Sequence, residues 1–336
     1  MKVMRIEDPE AGLDGMALNE ADEPGKPQEG QIKVRLLASS LNFHDYGVAS
    51  GRMPPEKGRI PLSDGAGIVE AVGEGVSQFK PGDRVVSVFF PDWKDGGPTV
   101  GDFSRTPGDG IDGYARDCVI TPADWFTRSP QGWTHQESAT ITTAGLTAWR
   151  ALAVEARIKP GDSVLLLGTG GVSVYALQVA KAMGARVAIT SSSNDKLEKA
   201  ASLGADYTVN YREHENWGEC VRDWTGGVGV DHVVEVGGPV TLANSIDACR
   251  VGGNIVLIGV LTGLGGEVPT ANLMRKQITL TGIIVGSHKH QRDFVKALEG
   301  MKFKPVIDKT FTLDSLAEAF RYEESGKHFG KICVTI

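Results

Sequence analysis

The run Val164-Leu165-Leu166-Leu167-Gly168-Thr169-Gly170-Gly171-Val172-Ser173 passes from an apolar strand through glycines into a helical pattern. That order constrains the chain more than any other stretch. A strand handing over to a helix through so small a turn belongs to a parallel sheet, whose crossover helices must pack back on it. Glycines let the backbone come close to a pyrophosphate, and the helix N-terminus offers unpaired N–H groups and a partial positive charge. Gly168, Thr169, Gly170, Gly171 and Val172 therefore form a candidate phosphate cradle. Ser173 replaces the last glycine of G-x-G-x-x-G, which loosens the helix-to-strand contact and adds a hydroxyl. An ordinary tight turn is the alternative for a lone glycine pattern, and the correct flanking elements favour the cradle.

The rhythm around this turn supports the same architecture. Val164–Leu167, Arg186–Thr190, Tyr207–Val209, His232–Val236, Ile255–Ile258 and Ile278–Val285 read as strands, with helices over Val172–Met183 and Asn194–Leu203 between the first of them. Asn194 or Ser193 can cap the second helix, and Gly204 can end it. Such alternation implies a doubly wound parallel sheet. Before it, Ile32–Ala38, Gly67–Val72, Arg84–Phe90 and Tyr114–Ile120 are short, valine-rich and punctuated by Gly and Pro, which reads as a β-rich domain. Pro91–Gly113 is expected to be a loop, either overhanging a site or a plain surface excursion. The tail from Phe294 offers two helices and a last strand, Lys331–Ile336, and is expected to return to the first domain. The expected division is 1–126 with 288–336 for the β-rich domain, and 127–287 for the dinucleotide-binding one.

About twenty residues after such a glycine turn, NAD sites carry an Asp or Glu for the ribose 2′-hydroxyl. Here that place reads Thr190-Ser191-Ser192-Ser193-Asn194-Asp195-Lys196. The hydroxyls of Ser191, Ser192 and Ser193 can donate to a 2′-phosphate and Lys196 can neutralise it, which puts NADP(H) ahead of NAD(H). Tyr211 can flank the same phosphate or be a partly buried core residue.

A formal net charge of −7 opposes broad attraction to nucleic acid or to an anionic membrane. The charged first ten residues and the absence of a long apolar run make a cytoplasmic chain the expectation. Cys118, Cys220, Cys249 and Cys333 lack Cys-x-x-Cys spacing and read as small buried hydrophobes.

Several motifs read together resemble the medium-chain dehydrogenase/reductase superfamily. They are Ser40-Leu41-Asn42-Phe43-His44-Asp45, Asp64-Gly65-Ala66-Gly67-Ile68-Val69-Glu70-Ala71-Val72-Gly73, Pro81-Gly82-Asp83-Arg84-Val85, Ala144-Gly145-Leu146-Thr147-Ala148-Trp149, the glycine turn, and Gly330-Lys331-Ile332. The resemblance implies an α/β chain made of a GroES-like β-rich catalytic domain, completed by the tail, and a Rossmann domain, with the active-site cleft where they meet. Zinc members place ligands where this chain has Asn42, Ser63 and a residue near Thr143. Neither a catalytic nor a structural zinc ion is expected, and His288-x-His290 reads as a solvated pair.

Hydride transfer belongs to the nicotinamide, so the protein must hold its ring, polarise the substrate and move a proton. Asn42 is the first candidate for polarising the substrate, with the capping of its own turn as the alternative. Tyr46 ranks narrowly ahead of His44 as proton donor, and Asp45 can orient Asn42. By resemblance, Thr147 contacts the nicotinamide carboxamide. Gly237, Gly238 and Gly259 end strands on the ligand side of the sheet, and Lys331 reaches the cofactor from the returning tail. Phe43, Phe89, Phe90, Trp93 and Phe329 suggest a cleft for a small apolar carbonyl, quinone, enone or alcohol. The expected assembly is a homodimer formed through Ile278–Val285 as an edge strand. The rival reading is an NADPH-binding regulatory or structural protein with little catalysis, which would not need Asn42, Asp45, Tyr46 and Thr147.

Overall fold

The computed structural model describes residues 1–336. Its contacts divide the chain into two compact units, Met1–Leu146 with Val285–Ile336, and Thr147–Ile284. The first boundary lies twenty residues beyond the expected one. The reason is pairing: the segment after residue 126 adds a strand and a short helix to the first unit's sheet.

The first unit opens with the hairpin β1 (Lys2–Ile6) and β2 (Met16–Glu20), which lack the valine-rich signature and were not expected. Then come β3 (Gln31–Ser40), α1 (Phe43–Ala49), β4 (Ala66–Val72), β5 (Arg84–Ser87), β6 (Cys118–Pro122), β7 (Phe126–Arg128) and α2 (His135–Ala139). β3 shows why this half is a sheet. Ile32, Val34, Leu36 and Ala38 alternate inward and are fully buried, while Lys33 and Arg35 face outward and pair with Glu23 and Glu70. Burying each of the three large side chains contributes roughly 1.5–3 kcal/mol. A helical run, Ile141–Glu155, follows, with α3 (Leu146–Trp149) between two π-helical turns.

The second unit continues through β8 (Ser163–Leu166), α4 (Gly171–Ala182), β9 (Arg186–Ser191), α5 (Asn194–Ser202), β10 (Tyr207–Asn210), α6 (Trp217–Trp224), β11 (Val230–Glu235), α7 (Pro239–Ala248), β12 (Cys249–Leu257), α8 (Thr270–Arg275) and β13 (Thr279–Gly282). The six strands are all parallel in the order β10-β9-β8-β11-β12-β13. The order reverses between β8 and β11, and the strand ends beside that reversal are where open α/β sheets bind ligands.

The chain then returns to the first unit through α9 (His288–Met301), β14 (Ile307–Thr312), α10 (Leu316–Glu324) and β15 (Lys331–Thr335). β14, β15, β3, β4, β5 and β7 form one sheet, with β6 also paired to β3. β15 runs antiparallel to β3, with Cys333 opposite Ser40. The loop Pro91–Gly113 contains no helix or strand, yet it is anchored. His288 and Lys289 donate backbone N–H groups to the carbonyls of Trp93 and Lys94, each at 3.0 Å. His288 and His290 are accordingly not a solvated pair. Burial lowers the pKa of His288, and His290 completes a capping box with Ser287 at the start of α9. Of the cysteines, Cys220 is only half-buried, at the margin of the core that takes Trp217 and Val221 of α6. No helix is long and apolar enough to cross a membrane.

Candidate active site

Within the second unit, β8 ends at a glycine turn that enters α4. Gly168 has φ +71°, a left-handed backbone, and a Cβ built on it would meet open space. Gly170 is the N-cap of α4 and provides no side-chain cap, so the first-turn amides of this twelve-residue helix are not spent on one. Ser173 was expected to loosen the helix-to-strand contact. Instead its hydroxyl donates to the Leu167 carbonyl at 2.6 Å and ties the helix to its own strand. Thr169 and Val172 flank the turn. An open cradle of this kind fits a dinucleotide pyrophosphate.

Across the reversal point, β11 ends at Glu235, a fully buried residue that sequence reasoning missed. Its Oε1 accepts from the amides of Gly237 at 2.7 Å and Gly238 at 3.1 Å, and from Thr241 Oγ1 at 2.6 Å. Oε2 accepts from Ser245 Oγ. The carboxylate thereby holds the second glycine turn and occupies the start of α7. A Cβ on Gly259 would strike the Val236 carbonyl, so Gly259 packs against the strand end.

Beside the glycine turn, Ser191 is buried and accepts from the Ser193 amide at 3.3 Å, and Tyr211 N donates to the Ser191 carbonyl at 3.1 Å. β9 and β10 thus bring Ser191 and the half-exposed Tyr211 to one edge, with Ser192 before α5, Ser193 at its N-cap and Lys196 on its first turn. Glu213, the nearby acid, accepts from Asn194 and Asn210, each at 2.9 Å. Thr147 is buried within the helical run and belongs to this unit.

In the first unit, the β3–β15 register places Lys331 opposite Asn42, where β3 turns into α1. Lys331 Nζ donates to Asn42 Oδ1 at 2.7 Å and to the Leu41 carbonyl, and lies 3.8 Å from Asp64 Oδ2. Asn42 Nδ2 donates to Asp45 Oδ2 at 2.9 Å, and Asp45 Oδ1 accepts from the Ser63 amide at 2.8 Å. Asp64 accepts from Ser40 Oγ at 2.5 Å and Thr143 Oγ1 at 2.7 Å. Burial raises the Asp64 pKa above the ordinary carboxylate range against the opposing pull of Lys331, and the negative charge of Asp45 adds to the rise. Glu323, fully desolvated close to the same ion pair, is pushed up to about 8. Leu62, just before Ser63, adopts φ +75°, a strained conformation that sets the entry of this segment.

The three positions at which zinc relatives carry ligands therefore border one cluster. Their donors are an amide and two hydroxyls, beside a carboxylate already engaged by Ser40, Thr143 and Lys331. Zinc takes thiolate, imidazole or carboxylate donors at about 2 Å. This set does not fit it, and the resident ammonium opposes a second cation.

Other expectations are corrected. The Tyr46 ring is buried in the core beside Phe320, and its hydroxyl bonds Glu324 while Arg52 lies over the ring. One helical step from Asp45, it faces α10 and not the Asn42 cluster. Lys331 was expected to reach a cofactor, but its ammonium is held by Leu41, Asn42 and Asp64. Asn42 does not cap α1 through its side chain. Phe89, Phe90, Trp93 and Phe329 are buried, leaving Phe43 exposed. His44 Nε2 lies 3.1 Å from Asp109 Oδ2, with its ring against Phe103 and Phe89. Phe103, from the glycine-rich loop, carried no sequence signal.

Residues 28–131 match the alcohol dehydrogenase GroES-like domain and residues 171–302 match the zinc-binding dehydrogenase family. A zinc-type alcohol dehydrogenase-like protein of Schizosaccharomyces pombe is 40% identical over 98% of both chains. A solved NAD-dependent alcohol dehydrogenase is 32% identical with a TM-score of 0.90, covering 100% of each chain. The Escherichia coli quinone oxidoreductase solved with NADPH is 25% identical with a TM-score of 0.83, again over 100% of each chain. With a Rossmann-ordered sheet, a GroES-like unit completed by the C-terminal strands and these relatives, the chain belongs to the medium-chain dehydrogenase/reductase superfamily of oxidoreductases.

Proposed function

We propose that this oxidoreductase works without zinc and uses NADP(H), exchanging hydride with an apolar carbonyl, quinone or activated double bond, or with the corresponding alcohol in reverse. The observation that carries the reading is the buried Lys331 ammonium among the positions that zinc relatives give to ligands. The bound nicotinamide supplies or takes the hydride. The chain's part is to bind the pyrophosphate at the α4 N-terminus, to present hydroxyls and Lys196 to a 2′-phosphate, and to stabilise negative charge growing on the substrate oxygen. Asn42 is assigned that last task. Its Oδ1 faces the ammonium, one Nδ2 hydrogen goes to Asp45, and Asp64 is a further side-chain partner, so a substrate oxygen would take the second hydrogen in competition with Asp64. With the Tyr46 hydroxyl engaged by Glu324, the proton is assigned to His44 or solvent.

The absence of an acid in Ser191–Ser193 supports NADP(H), as does the NADPH bound by the quinone oxidoreductase, whereas the solved alcohol dehydrogenase relative is named NAD-dependent. A homodimer is read from β13, one of the two edge strands of the parallel sheet, beside the exposed Met274 and Ile284. Light scattering checks that assembly. The experiment for function is steady-state NADPH oxidation with a panel of quinones, enones and ketones. Turnover with at least one class is expected. Tight NADPH binding with no turnover across the panel would make the protein a nucleotide-binding regulator.

A further inference from the structure

We propose that Lys331 is a positioning residue of the reaction: its ammonium pins the oxygen end of the Asn42 amide, and Asp64 is the counter-charge that keeps the ammonium buried. The inference rests on the reading of Asn42 as the group that polarises the substrate.

The geometry leaves little choice. A lysine ammonium only donates and an ionised carboxylate only accepts, so an amide between them can take one orientation, with oxygen toward Lys331 and nitrogen toward Asp45. Without the ammonium, the Asn42 oxygen would lose its charged donor and the amide would be held at its nitrogen end alone, by Asp45, free to swing away from the position a developing oxyanion needs. Lys331 is only 3% exposed and its ammonium is engaged by Leu41, Asn42 and Asp64, so its influence on the substrate is assigned through Asn42. Its own placement comes from two sources. The β15–β3 register brings it to the end of β3, and Gly330 at φ +82° approaches the Val306 carbonyl, where a Cβ would come within 2.5 Å. Asp64 is in turn fixed by Ser40 and Thr143, so the ammonium has a stationary partner. The arrangement puts a protein cation where relatives use a metal, but the cation works through an amide.

The test uses Lys331→Met, and Lys331→Met with Asp64→Asn, which removes both members of the ion pair while the buried Asp45 keeps its bonds to Asn42 and the Ser63 amide. Thermal unfolding identifies which variant remains folded. Side-chain amide NMR of asparagine-labelled protein, or a crystal structure, reports the orientation of Asn42. The expected result is a shifted or doubled Asn42 side chain. With it comes a fall in kcat of about 10- to 100-fold, while KM for NADPH stays within about twofold. In the Asn42→Ala background, loss of Lys331 should cost little more, because both act through one amide. An unchanged Asn42 amide overturns the proposal. So does a raised KM for NADPH with kcat preserved, which would place Lys331 at the cofactor, and so do losses that simply multiply. If Asn42→Ala itself leaves kcat unchanged, the reading of Asn42 fails, while the amide orientation still decides whether Lys331 positions it.

Discussion

Lys331 and Asn42 meet across two antiparallel strands separated by almost the whole chain, with Nζ of one 2.7 Å from Oδ1 of the other. The pairing turns a local feature, a strand ending in asparagine, into a charged and hydrogen-bonded cluster that includes Asp45, Asp64, Ser40 and Thr143. In a low-dielectric interior such networks are strong when every member is satisfied and costly when one is missing.

Asn42→Ala should lower kcat by about 100-fold, with KM for NADPH little changed, since a donor to a developing oxyanion acts mainly in the transition state. Asn42→Asp should be at least as damaging, because it adds a carboxylate beside Asp45. Steady-state kinetics on the substrate found in the panel checks both, and a rise in KM alone would move Asn42 out of the reaction.

The glycine turn makes a separable prediction. Gly168→Ala should cost about 1 kcal/mol of stability from its positive φ, and also weaken NADPH by more than about tenfold, because the new methyl enters the open cradle. Gly161→Ala, at φ +89° on the opposite end of β8 and equally open, should show the stability cost alone. Calorimetric titration with denaturant unfolding distinguishes them.

How far the sequence was legible depends on the range of each interaction. The turn at Gly168, the strands around it and the lack of an acid within Ser191–Ser193 were readable, because a strand, a turn and a helix adjacent in sequence carry their own signal. Tyr46 was misread because one helical step separates it from Asp45, and only the packing of α10 shows which way it faces. Lys331 was placed at the cofactor, and its bonds to Leu41 and Asn42 were not foreseen, since strand register across the returning tail is not written in either segment alone. Glu235 lay inside the expected strand His232–Val236 and drew no notice there. Its four donors come from a turn and a helix that follow it, a pattern visible in retrospect as Glu235-x-Gly237-Gly238-x-x-Thr241. The β1–β2 hairpin was missed because its strands mix polar and apolar residues, and only tertiary packing buries Val3 and Ile6.

Glu235→Gln should destabilise the second unit by roughly 2–4 kcal/mol, because an amide cannot accept at both oxygens and the donors of Gly237, Gly238, Thr241 and Ser245 are buried or nearly so. NADPH affinity should fall with it as the second glycine turn loosens. Denaturant unfolding and titration measure the two effects, and unchanged stability would show that the carboxylate is not holding the turn.

Glu323 predicts a pH dependence. Burial raises its folded pKa from 4.5 to about 8, so the neutral form stabilises the fold fully below pH 4.5 and that contribution is lost as pH rises through about 8. Wild-type stability relative to Glu323→Gln should therefore decline by roughly 3 kcal/mol between about pH 5 and pH 8. Parallel pH profiles for the two proteins would contradict the assignment.

Cofactor choice rests on the first turn of α5. Lys196→Ala should weaken NADPH by about tenfold or more and leave NADH nearly unchanged, since only NADPH carries the 2′-phosphate. Equal losses for the two nucleotides would remove that role.

The most direct measurement is NADPH turnover by enzyme stripped with a strong chelator and assayed with and without added zinc. Turnover that survives stripping and is not raised by zinc is the expected result, because an ammonium and an amide stand where the ligands of a metal would be. Activity that disappears on stripping and returns with zinc would contradict the account.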